Sequence, residues 1–158
     1  MNIILQPPKC PPQDVPSLVK RAESIAGLSL GELGQLAGIE IPEHFKQHKG
    51  FTGQLIELWL GASAGSTPQQ DFPELGVELK TIPVDANGKV LETTYVCFAH
   101  TKVPFGTTWK NSSVKNKLQQ VLFIPILGER SVPPRNRIVG MPKLWLPTPE
   151  QDSVLKQD

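Results

Sequence analysis

At 158 residues and 39% hydrophobic, the chain is long enough for one domain with a buried core. Two cysteines and three histidines exclude a disulfide scaffold and a Cys/His zinc cluster, and they point to a reducing cytoplasm. Sixteen Lys and Arg against 15 Asp and Glu leave a net charge of +1, which taken alone argues against a nucleic-acid partner.

No apolar run approaches the roughly 20 residues of a membrane span, and the start MNIILQPPKCPPQ lacks a signal-peptide pattern. Residues 1–14 hold Pro7, Pro8, Pro11 and Pro12 and read as a flexible, extended arm ahead of a domain over 15–158. From Val15, apolar residues at helical spacing (Leu18, Val19, Ala22, Ile25, Ala26) predict a helix stopped by Gly27. Ser29 and Glu32 form a capping box for a second helix, with Leu30, Leu33 and Ala37 as its stripe and Gly38 as its stop. Pro42 opens a further turn of helix through Phe45. Phe51–Leu60 predicts a helix with Phe51, Leu55, Leu58 and Trp59 on its apolar face. Glu57 lies off that face, with Gly53 and Gly61 at i−4 and i+4, so a backbone or ligand can approach its carboxylate closely. An irregular loop follows over Gly61–Ser66.

Beyond Pro68 the periodicity becomes that of β structure. Gly76–Val84 alternates, Asn87-Gly88 is a two-residue hairpin signal, and Val90–His100 reads as the returning strand. Ser112 or Ser113 caps a helix carrying Val114 and Leu118, which leads into a buried strand over Val121–Leu127. Arg135–Gly140 and Lys143–Leu146 are short edge strands or turns. Pro147-Thr-Pro-Glu opens a last helix that reaches Asp158 without a C-cap signal, so a helix cut short is expected.

The densest chemistry lies in Asp71-Phe-Pro-Glu-Leu-Gly-Val-Glu78-Leu-Lys80. Alternation puts Glu78 and Lys80 on one strand face and Val77 and Leu79 on the other, and Asp71 can reach the same place across the turn at 72–76. Two carboxylates and an ammonium together suit metal-assisted phosphodiester hydrolysis, in which hard oxygen ligands hold Mg²⁺ and the lysine orients water or neutralises developing charge. Ordinary surface ion pairs are the competing reading. Val77, Leu79 and Ile82 argue for a central strand instead, and Glu57 offers a third carboxylate. Between Lys102 and Lys143 eight basic residues (Lys102, Lys110, Lys115, Lys117, Arg130, Arg135, Arg137, Lys143) face one acid, Glu129. The near-zero total therefore sums a carboxylate-bearing half and a basic half suited to phosphate. Lys115 and Lys117, on the helix before the buried strand, are candidate phosphate contacts. His44, His48 and His100 show no ligand spacing.

The segments GELGQLAGI, HKGFTGQLIELWLGASAGSTPQQDFPELGVELKTIPVDANGKVLETTYVC and VKNKLQQVLFIPILGERSVP closely resemble the MutH family. These are sequence-specific endonucleases of bacterial methyl-directed mismatch repair, within the PD-(D/E)xK superfamily that also holds type II restriction enzymes. The resemblance runs from about Leu18 to the C-terminus. It implies an α/β, restriction-endonuclease-like fold: a mixed central sheet flanked by helices, forming one lobe of a DNA-binding clamp. It also implies metal binding by Asp71, Glu78, Glu57 and the backbone carbonyl of Leu79, with Lys80 as the catalytic lysine and Lys117 as a second lysine of the active centre. Lys49 matches a lysine on a DNA-contacting loop, and Tyr95 an aromatic residue near the recognition site. The implied reaction is Mg²⁺-dependent nicking, with Mn²⁺ as a substitute, 5′ of the G in GATC on the unmethylated strand of hemimethylated DNA. MutL, signalled by MutS, stimulates it, and the enzyme is expected to be a cytoplasmic monomer. Family members continue past the position of Asp158 into a second lobe that reads GATC and meets MutL, so this chain is expected to lack that lobe, to bind GATC weakly and to show little or no sequence-directed nicking by itself. An inactive DNA- or MutL-binding fragment and a related GATC-specific restriction endonuclease are the alternatives.

Overall fold

A computed structural model of the chain describes residues 4–47, 50–63, 69–97, 102 and 104–158. The first helix, α1 (Val15–Ile25), starts where Asp14 caps it by accepting from the Ser17 N–H, with Pro16 in the first turn. It buries Leu18, Ala22 and Ile25. The capping box read from Ser29 and Glu32 forms in full at the start of α2 (Leu30–Ala37), and Gly38 ends that helix in the left-handed conformation at φ +69°. Helix α3 (Phe51–Leu60) runs from Gly50 to Gly61. Its buried face is Leu55, Ile56, Trp59 and Leu60, whereas Leu58, expected inside, is 40% exposed. Over residues 4–14, ahead of α1, no helix or strand forms. Leu5 packs against the core, and the Arg21 guanidinium donates to both Cys10 O and Leu60 O, which ties the arm to the end of α3.

Among the described residues four strands form one mixed sheet. β1 (Glu78–Val84) pairs in parallel with β2 (Val121–Leu127), Glu78 opposite Val121 and Val84 opposite Leu127. The other edge of β2 is shared end to end by two short antiparallel strands. β3 (Ile138–Val139) pairs with Ile126 and Leu127, and β4 (Lys143–Trp145) with Val121, Leu122 and Phe123. Gly140 bridges the gap by donating to Pro125 O at 2.7 Å. The six-residue α4 (Ser113–Leu118), capped by Ser112, leads into β2, and α5 (Pro149–Gln157) follows β4. One apolar core joins Val77 and Leu79 of the β1 segment and Leu122, Ile124 and Ile126 of β2 to the buried faces of α1, α2 and α3.

Two expectations are corrected. Among the described residues β1 has one full-length strand neighbour, so it is an edge strand and β2 is the central one. The burial of Val77 and Leu79 comes from helices packed on one sheet face, and apolar content alone does not separate that from lateral pairing. The Asn87-Gly88 signal does make a turn, with Asp85 accepting from Asn87 N and Lys89 N and a single bridge between Val84 and Val90. Past Leu91 N donating to Pro83 O, however, no returning strand forms through Cys97. Leu91–Tyr95 stay exposed, so alternation there has no sheet face to bury. Phe98–His100 lie outside the described residues, as do Met1–Ile3, Ala64–Ser66, His48 and Lys49.

Candidate active site

The turn between Asp71 and Glu78 is closed by reciprocal backbone bonds between Phe72 and Val77, with Phe72 buried in the core. It folds Asp71 back along the outer edge of β1. There Asp71 Oδ2 accepts from the Leu79 N–H at 2.8 Å, occupying a donor that an edge strand leaves unpaired. Glu78 N–H points the other way, to Gln120 O next to β2. Because N–H and C=O of one strand residue point to the same side, the Leu79 carbonyl shares the Asp71 edge.

Glu78 is 3% exposed, and both of its oxygens meet an ammonium: Lys80 Nζ at 3.1 Å from Oε1 and Lys117 Nζ at 3.0 Å from Oε2. Lys117 also donates to Gln69 O at 2.6 Å. Glu57 enters from α3. Its pKa is pushed up to about 7, first by burial and then by the charges of Asp71 and Glu78. Burial likewise raises Asp71, against the opposing bond from Leu79 N. The structure therefore brings Glu57, Asp71, Glu78, Lys80 and Lys117 into one electrostatic unit. Gly53 leaves open space where a Cβ would stand, in keeping with close approach to the Glu57 stripe. Gly61 serves packing instead, since a Cβ there would meet Arg21 and Cys10 O.

The donor chemistry fits a hard divalent cation. The acids are oxygen ligands in short supply of water, and their mutual repulsion is what a cation would relieve. Among the described residues no three His, Cys, Asp or Glu side chains are gathered as a ligand set, and the two lysines hold the Glu78 oxygens. A cation would take Asp71, Glu78 and the Leu79 carbonyl, with Glu57 completing the set.

The remaining candidates are elsewhere. Lys115 pairs with Asp152 of α5 and lies over the Trp109 ring, facing away from Glu78. Tyr95 is 60% exposed on the irregular segment after the Asn87-Gly88 turn. Lys49 is outside the described residues. A cleft of about 1270 Å³ runs beside the site, walled by Phe45, Phe51, Gly53, Thr81, Arg130 and Arg137 among others. Sequence reasoning missed Gln70, which is 5% exposed and donates through Nε2 to Gly76 O and Asn116 O, pinning the 71–78 turn to α4. A neutral amide carries no charge or ligand signal, and only its place beside Asp71 hinted at a role.

Residues 60–158 match the family model described as the DNA mismatch repair enzyme MutH. The chain belongs to the MutH family. The DNA mismatch repair protein MutH of Klebsiella pneumoniae strain 342 is 53% identical over 154 residues, covering 98% of this chain and 67% of its own length. That of Shewanella oneidensis is 53% identical over 148 residues, covering 94% of this chain and 66% of its own. Escherichia coli O127:H6 MutH is likewise 53% identical over 148 residues. The chain spans about two thirds of the length of these MutH relatives. The mixed sheet with flanking helices accords with the restriction-endonuclease-like α/β fold expected for the MutH family. Among the described residues no helix is long and apolar enough to cross a membrane.

Proposed function

We propose that the chain carries the nuclease centre of a mismatch-repair endonuclease, hydrolysing one DNA phosphodiester 5′ of the G in GATC on the unmethylated strand. The observation that carries this reading is the buried Glu78 carboxylate held between Lys80 and Lys117, with Asp71 seated on the Leu79 N–H beside it. Mg²⁺, with Mn²⁺ as a substitute, would polarise the phosphate and acidify the attacking water. Asp71, Glu78, Glu57 and the Leu79 carbonyl would hold the cation. Lys80, on the same strand face as Glu78, orients the water and offsets charge growing on the phosphate oxygens. Lys117, anchored by Gln69 O, would supply a second positive charge beside the phosphate. Lys49, Tyr95 and the exposed basic residues of the 102–143 stretch contact the DNA of one lobe of a clamp. The free thiols of Cys10 and Cys97 fit a reducing cytoplasm, and we infer a monomer stimulated by MutL with MutS upstream.

The test is nicking of supercoiled GATC plasmid in Mg²⁺ or Mn²⁺, with and without MutL, beside an Asp71→Ala control. Metal-dependent nicking lost in Asp71→Ala is expected. Nicking that survives Asp71→Ala overturns the site, and DNA binding without any nicking in either metal makes the chain a binding fragment.

A further inference from the structure

Lys117 is presented by α4, a helix of six residues with none of them buried. So short a helix cannot hold its own position by itself, and its apolar residues Val114 and Leu118 are only partly buried. Its place is set by polar ties. Ser112 caps it, Gln70 Nε2 donates to Asn116 O at 2.7 Å, and Lys117 reaches Gln69 O and Glu78. On the opposite side Asp152 of α5 accepts from Lys115 Nζ and from Trp109 Nε1, at 3.3 and 3.4 Å to its two oxygens. Lys115 Nζ also stands 5.6 Å over the Trp109 ring, completing a three-member cluster. The hydrogen bond from Lys115 holds the Asp152 carboxyl below the usual carboxylate range, so the pair is charged at neutral pH. Two residues apart on a helix, Lys115 and Lys117 project about 200° from one another. Asp152 and Glu78 therefore hold α4 from opposite sides.

We propose that Asp152 is a positioning residue: through Lys115 and Trp109 it fixes α4 so that Lys117 is aimed at Glu78. Lys115 then acts as a tether between α5 and α4. The inference rests on the reading of Lys117 as part of the reacting centre, and its test separates the two.

In metal-free protein, the Lys117 side-chain ammonium is observed by ¹H–¹⁵N NMR, assigned with Lys117→Met. The Glu78 contact is expected to slow its exchange and to shift its signal in the parent chain. In Asp152→Ala and in Lys115→Met that signal is expected to broaden or return to the position of a solvated lysine, while Asp152→Glu keeps it. In Mg²⁺, single-turnover nicking is expected to fall roughly 10-fold or more in Asp152→Ala and Lys115→Met. The double variant should be no slower than either single one, and in Asp152→Ala the DNA affinity should be unchanged or tighter, because an acidic charge is gone. Thermal unfolding confirms that each variant is folded at the assay temperature. An unchanged Lys117 signal in folded Asp152→Ala overturns the proposal. So does nicking that stays level or rises, which would make Lys115 a phosphate contact that Asp152 restrains. If the NMR response appears but the parent chain does not nick, the positioning stands and the nuclease reading fails.

Discussion

Partial burial and two neighbouring carboxylates move Glu57 far from its ordinary acidity. Its pKa in the fold is about 7 against an ordinary 4.5, so between those values the native state binds more protons than the unfolded chain. The stability it contributes is full below pH 4.5 and lost as pH rises through about 7. In EDTA the fall in Tm between pH 5 and pH 8 should therefore be smaller in Glu57→Gln than in the parent, and an equal fall in both would contradict the assignment. In Mg²⁺ the sign turns to activity. A ligand must be deprotonated, so nicking should rise with pH through about 7, and added Mg²⁺ should move that rise to lower pH. At this scale Asp71, Glu78 and Lys80 were legible, because strand alternation and a short turn leave few places for them to go. Lys117 was legible only through the basic half of the chain and the family resemblance. Gln70 and Asp152 were not, since one acts through neutral hydrogen bonds and the other across 37 residues of sequence.

Helix caps and stops carried over from sequence to structure nearly residue for residue: Ser29 with Glu32, Ser112 and Gly38 all stand where local hydrogen bonding puts them. Strand partners did not. The hairpin signal at Asn87-Gly88 describes the turn alone, whereas the choice of β2 as the partner of β1 is made by burial of Leu122, Ile124 and Ile126 against three helices. Glycines in helices show the same split between local and tertiary causes. In α3, a Cβ at Gly53 meets nothing within 4 Å, so Gly53→Ala should raise stability by about 0.5–1 kcal/mol through chain entropy. In α2, a Cβ at Gly34 would stand 2.6 Å from Ile41 Cδ1 and 2.7 Å from Ile39 O. Overpacking costs roughly 1–3 kcal/mol and outweighs the propensity gain of about 1 kcal/mol, so Gly34→Ala should lower Tm. Thermal unfolding of the two variants side by side checks the opposite signs.

For the molecule as a whole, eight basic residues between 102 and 143 overstate the surface available to DNA. Lys115 and Lys117 are held by Asp152 and Glu78, and Arg137 is half-buried, donating to Val132 O with its guanidinium 5.1 Å from the Phe45 ring centre. Lys102, Lys110, Arg130, Arg135 and Lys143 are exposed. Each phosphate contact contributes about 0.9 to the slope of log affinity against log salt. Arg130→Ala should therefore flatten that slope by about 0.9, while Arg137→Ala leaves it unchanged and acts on folding instead. Fluorescence titration of a GATC duplex at several salt concentrations measures both.

The two ammonium groups against Glu78 have one more consequence. They are internal counterions, so the folded chain neutralises its most buried carboxylate without help from solution. If the site takes a divalent ion as proposed, loading it would be an exchange of one cation for another. On the proposed reading, the affinity for a divalent ion would be its intrinsic affinity for the oxygens less the cost of dislodging a lysine, and that lysine would be free to meet the substrate's phosphate.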